Sequence, residues 1–162
     1  MTSELIKELG RLGLRRYTTG TDEDAVNLAH QDLLSAPETK HSPLPVCKMY
    51  ASDVLRKAAT LAPSLITEAI IQDCQRVFPD CNDSTCLSII YVFSTLRRTD
   101  TVPFLEQVRD DRTRPNVSQV VKENRRCFFR SYRDDTKPDW LADAATEAIR
   151  TISTKGPGPN PV

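Results

Sequence analysis

The sequence predicts an all-α protein. Apolar residues recur at helical spacing along most of the chain, proline and capping residues fall between these runs, and glycine is almost absent from the middle. Only five glycines occur in 162 residues, three in the first twenty and two in the last seven. Such scarcity argues against a fold built on tight hairpins. No segment reads as a strand, and eight helices are expected.

Thr2 or Ser3 caps the first helix, which places Leu5, Ile6, Leu9 and Leu12 on one side. Thr21 opens the second, with Asp22, Glu23 and Asp24 in the first turn, where the helix dipole favours acids. Three prolines in "SAPETKHSPLPV" make a loop at 35–46. A third helix covers 46–59, and Pro63 starts a fourth over 64–78. "TCLSIIYVFSTLRR" is apolar nearly all round and reads as the central, buried helix. Pro103 begins a short sixth helix. Asn116 caps a long seventh, to about Tyr132, and Pro138 and Asp139 open the last, "WLADAATEAIRTI". Residues 1–153 thus form one domain, and the Pro/Gly-rich 154–162 is an expected disordered tail.

Composition narrows the function. No apolar run reaches the roughly 18–20 residues that span a bilayer, and "MTSELIKELGRLGLRR" lacks the apolar core of a secretory signal. An odd number of cysteines (Cys47, Cys74, Cys81, Cys86 and Cys127) without a CxxC pair points to free thiols in a reducing, cytoplasmic setting. Cys74, Cys81 and Cys86 match no zinc spacing. His30 has no second histidine to complete a metal site and reads as a helix-packing residue, while His41 sits in the proline-rich loop. No P-loop, GxGxxG, GxSxG or EF-hand loop occurs. The expectation is a protein with no catalytic residues, cofactor or metal.

The net charge is zero, yet residues 97–133 hold ten Lys/Arg against five Asp/Glu. The densest part is "KENRRCFFRSYRDD", Lys122 to Asp135, with five cations and three aromatic rings. On a helical wheel of about 100° per residue, Val117, Val120, Val121, Asn124, Phe128 and Ser131 form a buried stripe, with Cys127 and Tyr132 at its margins. Lys122, Arg126, Arg130 and Arg133 then make one cationic ridge on the opposite side. Phe129 stands beside that ridge and away from the stripe.

Two stretches also echo each other: "FLEQVRDDRTRPNVSQVV" from Phe104 and "FFRSYRDDTKPDWLADAA" from Phe128. Internal similarity of this kind suggests stacked helical hairpins. With "YVFSTLRRTDTVPFLEQVRDD" and "DWLADAATEAIRTI", the region resembles HEAT-like repeats of the short bacterial type, over about a third of the chain. The resemblance implies stacked antiparallel helix pairs, an α-solenoid, acting as a binding scaffold; an irregular helical bundle is the alternative architecture. The implied function is non-catalytic binding of another protein with an acidic surface, in an adaptor, inhibitor or toxin-neutralising role. Nucleic-acid binding by the basic 97–133 region is the alternative. The candidate contact residues are Arg126, Phe129, Arg130, Arg133 and Lys122, with Arg97 and Arg98 as a second patch.

Overall fold

A computed structural model describes residues 1–36 and 47–158. Among them are seven α-helices and one two-stranded antiparallel sheet. The helices are α1 (Glu4–Arg11), α2 (Asp22–Ser35), α3 (Lys48–Leu61), α4 (Glu68–Val77), α5 (Asp83–Leu96), α6 (Val102–Asp110) and α7 (Trp140–Lys155). Strands β1 (Val117–Glu123) and β2 (Arg126–Tyr132) lie between α6 and α7.

Most helix starts follow from local chemistry. Ser3 caps α1 by accepting from the Ile6 N–H, and Thr21 forms a reciprocal capping box with Asp24 at the head of α2. Thr67, Asn82 and Asp139 cap α4, α5 and α7 in the same manner. Pro63 opens a short 3₁₀ turn, Pro63–Leu65, and the α-helix proper begins only at Glu68. Such three-residue 3₁₀ turns commonly connect helices. At the other end α7 runs through Lys155, and the Gly158 N–H bonds the Arg97 carbonyl at 3.3 Å. Residues 154 and 155, expected in the tail, thus belong to α7. Most of the proline-rich 35–46, with His41, lies outside the described residues.

One hydrophobic core joins all seven helices. α5 sits at its centre, packed on α3 at one side and α7 at the other. Its Ile89, Ile90, Val92 and Phe93 are buried, while Leu87 and Tyr91 reach the surface. Phe93 meets Phe104 edge to face at 5.9 Å, and Phe104 meets Phe78 at 5.1 Å, which fixes α6 against the α4–α5 corner. α3 also contacts α1 and α2, and α6 lies along α7.

The seventh expected helix does not exist. Residues 117–132 fold as a β-hairpin, so the all-α prediction is corrected to a mostly helical body with a small sheet. Two runs of seven residues carry Val117, Val120 and Val121 on one strand and Phe128, Phe129 and Tyr132 on the other, types that suit an extended backbone. Between them Asn124 and Arg125 both take positive φ, 47° and 63°. Two consecutive left-handed residues make the tight turn whose twist matches a hairpin, and asparagine tolerates that region. The helical wheel applied the wrong period here.

The sequence echo has a different physical basis from repeated hairpins. Its two halves fall on α6–β1 and on β2–α7, so Phe104 is helical and Phe128 is not. What recurs is a turn. Asp111 accepts from the N–H and hydroxyl of Thr113 at 2.8 and 2.6 Å, and Asp134 accepts from those of Thr136 at 3.0 and 2.6 Å. These paired Asp-x-Thr turns flank the ribbon's base, one before β1 and one after β2.

Candidate functional site

The ribbon is the most unusual surface of the molecule, because none of its fourteen strand residues is buried. Phe129 is 77% exposed, Val120 49%, Phe128 45% and Tyr132 40%. Trp140, the first residue of α7 just past the ribbon's base, is 66% exposed. An isolated two-stranded hairpin is marginal in water. This one is held by its base.

Asn116 is the centre of that base. Expected as a helix cap, it instead receives the Asp134 N–H at 2.8 Å and donates Nδ2 to the carbonyls of Asp134, Lys137 and Pro138. Its own N–H bonds the Tyr132 carbonyl at 3.2 Å. Arg133 pairs with Asp139 and, at 2.8 Å, with Asp135. Burial works against the charged form of Asp139, yet the Ala142 N–H and Arg133 together hold its carboxyl below the usual carboxylate range.

Arg114 fastens the near end of β1 to the helical body. Its Nη2 donates to the Cys81 carbonyl at 2.8 Å and to Cys86 Sγ at 2.9 Å, and its guanidinium lies 5.0 Å over the Phe78 ring. Burial pushes the Cys86 thiol up to about 12, with Arg114 only partly opposing it. It therefore remains a thiol, as does Cys74, which burial also pushes up to about 12. All five cysteines are free; Cys47, Cys74, Cys81 and Cys86 are buried, and only Cys127 is exposed. His30 binds Asp73 of α4 through Nε2 at 2.7 Å and so ties α2 to α4. Among the described residues no cluster of three or more His, Cys, Asp or Glu is placed to hold a metal.

The expected contact residues divide into two groups. Arg97 takes the left-handed cap of α5 and donates to the Lys155 carbonyl at 3.1 Å. Arg98 is largely enclosed between Glu68 and Asp100. With Arg133 in the clasp, these three arginines hold the fold together. Lys122, Arg126, Phe129 and Arg130 lie on the ribbon, and the cations make no ion pair with any described residue.

The single cationic ridge is corrected as well. Directly opposed residues share a face of an antiparallel ribbon. The pairs Val117–Tyr132, Gln119–Arg130, Val121–Phe128 and Glu123–Arg126 line one face; Ser118–Ser131, Val120–Phe129 and Lys122–Cys127 line the other. Lys122 therefore faces away from Arg126 and Arg130. Phe128 and Cys127, expected in the core, are exposed. Along β2 the first face alternates Arg126, Phe128, Arg130 and Tyr132, an order that only the strand period reveals.

No helix among the described residues is long and apolar enough to cross a membrane. No family model matches the chain, and neither a curated protein nor a solved structure matches it.

Proposed function

We propose that this chain is a non-catalytic helical module of the cytoplasm that binds another protein through its β-ribbon. The observation that carries this reading is the ribbon's exposure: three aromatic rings, and three cations (Lys122, Arg126 and Arg130) that have no ion pair among the described residues, project from a well-packed body. Exposed aromatic residues beside arginine are the residue types that dominate protein interfaces. Arg126 and Arg130 flank Phe128 on one face, which suits a partner surface with an apolar spot between acids. The helical body serves as the rigid mount. A HEAT-like stacking of that body is supported by the run of contacts α1 to α3, α3 to α5 and α5 to α7, in which every second helix is a neighbour.

Affinity retention from native lysate tests the proposal. Wild type retains a protein that the triple variant Arg126→Glu, Phe128→Ser, Arg130→Glu loses, while the variant keeps its helical circular dichroism. Equal retention by both, or none by either, rejects it.

Nucleic acid is the second reading, favoured by the alternation of arginine and aromatic side chains on one face, which suits phosphates and stacked bases. It requires retardation of an oligonucleotide that weakens steeply with salt. The ribbon's open backbone edges favour a polypeptide, since their alternating N–H and C=O groups are complemented by another strand.

A further inference from the structure

A two-stranded ribbon consists of edges only. Its two-residue turn makes Glu123–Arg126 the first hydrogen-bonded pair, and such pairs alternate with pairs whose N–H and C=O groups point outward. On β2 the outward set is Cys127, Phe129 and Ser131. No described backbone group bonds these from outside. Proteins normally blunt an open edge with proline, lysine, a bulge or a cover. The outward set of β2 contains neither proline nor lysine, whereas that of β1 includes Lys122.

We propose that a second copy of this chain pairs antiparallel with the β2 edge, with Phe129 on the two-fold axis. This goes beyond the binding role above, because it uses the edge of the ribbon and leaves its faces open. Phe129 is the middle residue of Arg126–Tyr132, so this axis engages the whole strand. It sets Arg126 opposite the partner's Tyr132 and Phe128 opposite the partner's Arg130. Every arginine of β2 then meets an aromatic ring, a contact the molecule already makes where Arg56 lies 4.1 Å over Tyr91. The other face joins Phe129 to the partner's Phe129 and Cys127 to the partner's Ser131.

Other registers are worse. An axis at Phe128 sets Arg126 against the partner's Arg130, and an axis at Arg130 sets two arginines against each other; like charges directly opposite destabilise a sheet. Axes at Cys127 or Ser131 avoid this but run the strand past the partner's turn or off its end, which shortens the ladder. Within the strand, the absence of opposed like charges and the length of the ladder select the same register.

The register makes a specific cross-link possible. Hydrogen-bonded partners in an antiparallel pair have Cα atoms about 5.5 Å apart, inside the roughly 4.4–6.8 Å that a disulfide spans. In Ser131→Cys the new thiol lies opposite the partner's Cys127. Within one chain the two positions are four strand residues apart, about 13 Å, too far to join. Oxidation with copper-phenanthroline should therefore give a covalent dimer of Ser131→Cys, mapped to Cys127 and position 131. Wild type, whose two Cys127 residues lie apart in this register, should give none. Sedimentation of a dilution series should show the wild-type mass rising from 18.2 kDa toward twice that value. Phe129→Glu puts like charges on the axis and should weaken the dimer about tenfold or more, with unchanged circular dichroism because the site is exposed. The proposal is overturned by a wild type that stays monomeric at every concentration, by a dimer that Phe129→Glu leaves intact, or by a cross-link through Cys127 alone. A wild type that gains mass only with polyglutamate or an oligonucleotide overturns it in favour of that occupant. None of these outcomes depends on retention of a lysate protein.

Discussion

The helical body and the ribbon obey opposite rules within one chain. In the body, long apolar side chains such as Leu9, Ile71 and Phe93 are wholly enclosed, and even a buried carboxylate is satisfied: Asp32 receives two bonds from Arg16 and one from Tyr17. In the ribbon, rings of equal size stand in water, and Lys122, Arg126 and Arg130 have no ion pair among the described residues. The body's composition is explained by its own stability. The ribbon's is not, because a sequence selected only to close a loop between α6 and α7 has no need of Phe128, Phe129 and Tyr132. That surplus is the ground of the proposed binding role.

The largest contrast is chemical reactivity. Thiols held near 12, as Cys74 and Cys86 are, present about one thiolate in ten thousand at pH 8, and they are also enclosed. Iodoacetamide on native protein should therefore add one label, at Cys127, and label all five cysteines after denaturation. Rapid native labelling of Cys86 would mean that Arg114 and the ribbon base detach often.

Stability gives the next contrast. Phe93→Ala removes a fully enclosed ring from the contact between α5 and Phe104 and should cost about 3–5 kcal/mol in urea unfolding. Phe129→Ala removes a ring of the same size from solvent and should change stability by less than about 0.5 kcal/mol. Similar costs for both would show that the ribbon belongs to the cooperative core.

Much of the body was legible because its signals are local. Ser3, Thr21 and Asp139 are oxygen-bearing side chains placed where a helix needs an acceptor, and each caps as expected. The ribbon was misread for two physical reasons. Valines and aromatics at positions 117, 120, 121, 128 and 132 fit a helical stripe nearly as well as two short strands, since a seven-residue run is too short to separate the periods. The turn between them also lacks glycine, the usual mark of consecutive left-handed residues. The seven candidate residues accordingly kept their identities but not their geometry: Lys122 left the ridge, and Arg97, Arg98 and Arg133 went to hold the framework. Trp140, exposed in the first turn of α7, carried no signal in the sequence that separates a surface ring from a core one.

A smaller effect separates the regions by pH. Asp73 of the body is held below its ordinary pKa by Arg76 and then His30. A depressed folded-state pKa means stability that is complete above the unfolded value, about 3.9, and is lost as pH falls through the folded value. Asp73→Asn should thus cost less than about 1 kcal/mol at neutral pH, as expected for a partly exposed pair. The difference from wild type should vanish at the acid end of a urea-unfolding series; a difference that persists there would assign the loss to packing instead.

The smallest effect is the most local. Arg125 holds φ at 63°, where a Cβ is crowded by the backbone and glycine is not. Arg125→Gly relieves that crowding and yields Asn-Gly, the favoured pair for this turn. The gain, about 0.5–1 kcal/mol after the extra freedom of glycine in the unfolded chain is offset, belongs to the hairpin alone. Amides of β1 and β2 should exchange several-fold more slowly, while the urea midpoint of the helices stays where it was. If the midpoint rises by the same free energy, the ribbon unfolds together with the body, and its aromatic surface must then be counted as part of one cooperative unit.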